Sequence, residues 1–342
     1  MHSKDNQDIM LQTLPLVLFI LMTEVTVGSV AVLVFLDWRN EVKRGFLISY
    51  ALIYLGLASL TYLFQQSFAT AALLNTYTQI DKAWTGYQSL PLLLFFLLLI
   101  PYSLSLLMDK NAGVDGKVER AKAEAQAAEG VEHTQPPHSS VIRSFRLASG
   151  AATVIAGLVT LLVMAMIFRP LAAANFAGVF TVAAFFAAAF ALGGVMTAMW
   201  LGHWYLVTPA LSEKPLQFAT SVVLIAVFVQ VIFSFLIGPM TSYVNKPTSS
   251  ATAVTTTAPT GNTSAKSQVK PEGAPVVTPL SPEQINWVRI LVSFVLPLML
   301  GGLAWKLIRD RSFQSATGML YLVVVCSLAG EAMARGLFLM GL

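Results

Sequence analysis

Eight stretches of this chain are long and apolar enough to cross a bilayer as helices, and that repetition leaves few folds open. They cover residues 14–36, 45–64, 90–108, 147–168, 176–200, 218–237, 287–307 and 316–341. A hydrocarbon layer of about 30 Å needs about 20 helical residues at 1.5 Å each. Lone strands cannot satisfy their backbone in lipid, and no ten-residue alternation of the kind found in barrel strands occurs, so helices are the one workable assignment. The charged fraction agrees: it is 11%, against about 25% in soluble domains. The sequence predicts an all-α integral membrane protein, an eight-transmembrane-helix bundle. Residues 1–108 hold spans one to three, 109–146 an inner polar loop, 147–240 spans four to six, 241–282 an outer segment rich in Ser, Thr and Pro, and 283–342 the last two spans.

Basic residues set the expected orientation. With the N-terminus outside, 13 lysines and arginines fall in inner segments and 7 in outer ones, with Arg335 left inside the membrane. That asymmetry predicts both termini outside, in a multi-pass protein of the inner (cytoplasmic) membrane. The formal charge of +4 does not imply nucleic acid, because the cations flank apolar runs and make no basic face. The N-terminus has acidic residues and no small-residue cleavage site, so no removable signal peptide is expected.

Within the spans the informative residues are the few that lipid disfavours, since a charge near the bilayer centre costs about 2.5–3.5 kcal/mol on insertion scales. Glu331 and Arg335 are four apart in the last run, the acid on the N-terminal side, which stacks them on one helical face as an ion pair. Gly330 and Ala334 border that face and would let a neighbour approach closely. Glu24 lies near the middle of the first run, and predicts either a neutral acid or a pair with a donor on another helix. Gln230 in the sixth run is expected to bond across to Glu24 or Glu331. Two roles stay open for these groups: locking helices together, or proton and quinone chemistry.

The fifth run is the smallest in side-chain volume, with Ala183, Ala187, Ala191, Gly194 and Ala198 at spacings of three and four, and is expected at the close-packed centre. It ends in His203, Trp204 and Tyr205 at the inner interface. These read either as an aromatic belt or as partners for a quinone ring or one axial haem ligand. Haem b would need Met196, Met199 or a partner chain as the second ligand. His133 and His138 sit in a proline-containing loop and predict a solvated linker, with no metal site. A single cysteine, Cys326, excludes an internal disulfide, an iron–sulfur cluster and c-type haem attachment within the chain. No GxxxxGK, HExxH or GxSxG pattern occurs, so ATP use and hydrolysis have no support.

Three segments together resemble a known family. Trp287-Val-Arg-Ile-Leu-Val-Ser-Phe-Val-Leu-Pro297 followed by Leu328-Ala-Gly-Glu-Ala-Met-Ala-Arg-Gly-Leu-Phe338 is similar to the closing helices of dimethyl sulfoxide reductase membrane anchors. Phe19-Ile-Leu-Met-Thr-Glu-Val-Thr-Val-Gly28 resembles that family's opening helix. Wider relatives include polysulfide reductase membrane subunits. The resemblance implies eight helices with both termini outside, and quinol bound without haem. It also implies electrons passed to an iron–sulfur subunit that feeds a catalytic redox subunit. Glu24, Glu331 and Arg335 match its motif positions. After the second helix the family shows His-Leu-Gly-Ser-Pro, where this chain reads Thr61-Tyr-Leu-Phe-Gln-Gln-Ser67.

These readings predict a quinone- or quinol-interacting anchor subunit, using menaquinone or ubiquinone, beside an iron–sulfur or cytochrome subunit and a catalytic redox subunit. Glu24, Glu331 and Arg335 would handle protons; His203, Trp204, Tyr205 and Gln230 would hold the quinone. Two rivals are a transporter with a midplane site of Glu24, Gln230, Glu331 and Arg335, and an assembly protein whose buried charges only specify packing.

Overall fold

All eight spans form helices in a computed structural model of the chain, and the protein is a multi-pass membrane protein. The structure describes residues 2–114, 116, 118, 138–171, 177–208, 212–237 and 282–339. The long helices are α1 (His2–Arg39), α2 (Arg44–Phe68), α3 (Ser89–Met108), α4 (His138–Phe168), α5 (Ala177–Val207) and α6 (Lys214–Ile237). In α7, Pro282–Ile290 runs through a π turn, Leu291–Val295, into Leu296–Arg309; α8 is Phe313–Leu339. Among the described residues the one β-type pairing is a bridge between Lys43 and Gly113. The start of α1 and the end of α8 lie on one side, called here the terminal face; the opposite side is the hairpin face.

Packing divides the helices into two rings of four. α1 to α4 pack consecutively, and α1 closes on α4; α5 to α8 do the same, and α5 closes on α8. The rings join where α1 lies along α5, flanked by α1 against α8 on one side and α4 against α5 on the other. That is the contact pattern of two parallel halves related by a pseudo-twofold along the bundle axis, which no sequence periodicity foreshadows.

The join requires glycine. A Cβ on Gly28 would lie 1.8 Å from the Ala189 carbonyl oxygen, and one on Gly193 would lie 2.0 Å from the Gly28 carbonyl carbon. The α1 and α5 backbones therefore touch, the close approach that small residues allow where no hydrophobic force drives helices together in lipid. The fifth run was expected at the centre; it shares that place with α1, which is the more deeply buried of the two.

Span boundaries shift by several residues from the sequence expectation, and two of the shifts bear on buried cations. The fourth span starts at Val141, so Arg146 is a buried residue of the bundle, fully enclosed, and no longer a loop cation. The seventh starts at Gln284 instead of 287, and Arg289, which the charge count set among the outer cations although it falls within that run, is buried in the bundle. One cation leaves each side of the charge count, and the asymmetry survives. The connection from α2 to α3 carries one-turn helices Ala71–Leu74 and Lys82–Thr85 and is tied to the end of α4 by Asp81 N–H donating to the Ile167 carbonyl at 2.9 Å. The Ser/Thr/Pro segment up to residue 281 and His133 lie outside the described residues.

Candidate functional site

The last helix brings its two charges to the junction between the rings. Arg335 Nη2 donates to Glu24 Oε1 on α1 at 2.5 Å, and its Nε lies 2.9 Å from Glu331 Oε1 one turn back on α8. Gln230 Nε2 on α6 donates to Glu331 Oε2 at 3.1 Å. The guanidinium also stacks on Phe185 of α5, 3.8 Å from the ring centroid, a cation–π contact that strengthens with desolvation. Three helices thus meet at one guanidinium and α6 joins the network through Glu331, and Glu24, Gln230, Glu331 and Arg335 are all more than nine-tenths buried.

Charge accounting explains why the cluster is tolerated. Glu24 and Glu331 face Arg335, and Arg289 on α7 lies within electrostatic reach of Glu331, so two carboxylates are balanced by two guanidinium groups. Even balanced, the desolvation cost of such ions is several kcal/mol each. Glu331 uses both oxygens; Glu24 Oε2 has no hydrogen-bond partner among the described residues. The network has spare capacity for a proton at that atom.

Beside the cluster, α6 and α7 part to leave a lateral cavity of about 440 Å³. Its lining is apolar, from Val231, Phe235, Ile290, Phe294 and Leu298, apart from Ser234, Asn286 and Arg289. Asn286 Oδ1 is buried there without a partner among the described residues. Among the described residues its lining comes from α6 and α7 alone, which gives the cavity a lateral position at the edge of the second ring. The π turn makes this shape, because its extra residue per turn breaks the regular ridge that α7 would otherwise press against α6. On its inner side the same turn meets α8 at Gly330, where a Cβ would come within 2.6 Å of Ser293 Cα.

His203, Trp204 and Tyr205 lie elsewhere. They occupy the hairpin-face end of α5, with His203 18 residues beyond Phe185, or about 27 Å along the helix. His203 is exposed, Trp204 sits edge-on to Phe46, and the buried Tyr205 hydroxyl donates to the Ser212 carbonyl. Met196 and Met199 share that helix.

Sequence reading missed a second buried ionic cluster, at the hairpin face of the first ring. Arg146 on α4 pairs with Asp37 on α1 (Nε to Oδ2, 3.1 Å) and with Asp109 at the end of α3, and the Tyr102 hydroxyl donates to Asp37 Oδ2 at 3.3 Å. The available signal was Asp37 inside a helix that continues past it to Arg39, but at a span end an acid reads as an ordinary flank. Among the residues with described side chains, no group of three or more His, Cys, Asp or Glu is placed to hold a metal.

No family model matches the chain, and no curated protein matches it.

Proposed function

We propose that this protein is the quinone-handling membrane anchor of a redox complex. It takes up quinone or quinol from the bilayer through the α6–α7 cavity and exchanges protons through Glu331, Arg335 and Glu24. The observation that carries this reading is the adjacency of a lateral apolar cavity, of a size usual for small-molecule sites, to a buried acid held by a guanidinium. The resemblance of the first and last helices to dimethyl sulfoxide reductase anchors belongs to the same proposal, as do both termini outside and the inner membrane.

The cavity chemistry fits such a ligand: an apolar wall for the tail, Arg289 as a donor, and the Asn286 amide at one carbonyl oxygen of the ring. When bound, a quinone supplies two-electron, two-proton chemistry. The chain's part is to orient the ring, exclude water and move protons. Glu331 lies within electrostatic reach of Arg289 in the cavity wall. Arg335 holds it in place and couples it to Glu24, whose free Oε2 gives a proton a second station. Electrons leave to a metal-carrying partner, an iron–sulfur or cytochrome subunit, since one cysteine cannot hold a cluster.

The test is Glu331→Gln in the complex isolated from its own membrane. Quinol-linked turnover is expected to fall by about 10²-fold or more, while the subunit stays membrane-inserted and still binds a quinone analogue. Unchanged turnover would remove Glu331 from the mechanism. A transporter reading has one observation in its favour, the parallel halves. Against it, the cavity is lined by two helices of one half, where a translocation path would use both.

A further inference from the structure

Beside Glu331 lies one small polar chamber. It measures about 10 Å³ and is walled by Gln230, Ser293, Ser327 and Glu331, with small apolar side chains of α5 and α6 closing the rest. Space of that order takes about one water molecule. The four polar walls are each at least nine-tenths buried. Gln230 and Glu331 already bond to each other, but Ser293 Oγ and Ser327 Oγ have no partner among the described residues. Buried hydroxyls left unmet are destabilising, and a buried water characteristically answers about three such groups at once.

The chamber's position matters as much as its size. Gln230 and Ser293 belong to its wall, while Val231 and Phe294, next to them in sequence, line the lateral cavity. Adjacent residues of α6 and of the π turn thus line the two spaces. Ser293 stands in the π turn, and Gly330 on α8 makes room for it: a Cβ there would fall 2.5 Å from Ser293 Oγ.

We propose that a single resident water occupies this chamber, held by Ser293, Ser327 and Glu331, and that it carries protons between the α6–α7 cavity and Glu331. The relay half of this inference rests on the quinone reading above; the water site does not. In the step, an O–H bond of the water breaks as one forms to the Glu331 carboxylate, and the water regains a proton from the cavity side. No electrons move in it. Ser293 and Ser327 are positioning residues, acting through the water.

Two measurements test this on the intact protein with its natural partners. A structure at about 2 Å is expected to show density in the chamber within hydrogen-bond distance of both serine hydroxyls; an empty or side-chain-filled chamber overturns the proposal. The double variant Ser293→Ala with Ser327→Ala is expected to keep the Kd for a quinone analogue and the KM for quinol. Its kcat should fall by about tenfold or more, with an altered solvent deuterium isotope effect. Unchanged kcat and isotope effect overturn the relay. Failure of the unmodified protein to bind any quinone analogue overturns the quinone reading and the relay with it, while chamber density would still support the water site.

Discussion

At the scale of single residues, Arg335 is the most consequential side chain. It is the only cation in contact with Glu24 among the described residues, and removing one partner of a buried ionic set costs about 3–5 kcal/mol, because the other charges are left buried. Arg335→Met is therefore expected to destabilise the folded protein by about that amount in thermal unfolding in detergent. Adding Glu24→Gln and Glu331→Gln should return part of it, since neutral amides tolerate burial better. Arg146→Met strands Asp37 and Asp109 in the same way and is expected to cost a similar amount. It lies on the hairpin face, so affinity for a quinone analogue should stay as it was; a loss of affinity would tie the first ring to the site.

The helix pairs carry two further expectations. Gly28→Val puts a branched side chain where backbone already stands at 1.8 Å, and the strain has no flexible neighbour to absorb it. Membrane-inserted, folded protein should fall sharply in that variant, as judged by detergent size-exclusion profile, whereas Gly336→Ala, with open space around it, should be neutral. Deleting Val292 from the π turn lets α7 close as a regular α-helix and rotates Ser293 and Phe294 out of register with Gly330 and the cavity. The protein should still fold and lose quinone-analogue affinity. Retained affinity would show that the π turn does not shape the site.

For the molecule as a whole, the spans were legible because an apolar run of 20 residues needs no tertiary context to be read. The Glu331 and Arg335 pair was legible for a similar reason: a spacing of four is local. Glu24 could be seen to need a partner, but its donor lies 311 positions away, and no local rule links them. Arg146 reads from sequence as a loop cation, because the positive-inside rule treats every arginine near a span end as a flank, and only the packed bundle shows that its helix begins earlier. The π turn left no trace in composition, and the two-ring plan is a matter of which helices touch. That arrangement puts the acid, the guanidinium and the lateral cavity at one place in the second ring, with α1 lending Glu24 from the first.

The measurement that bears most directly on this account is photolabelling with an azido-quinone in native membranes, followed by peptide mapping. Saturable labelling of α6 around Val231–Phe235 and of α7 around Asn286–Leu298, competed by unmodified quinone, is the predicted result. Absence of saturable labelling, or competed label confined to the His203 end of α5 or to the first ring, would contradict it.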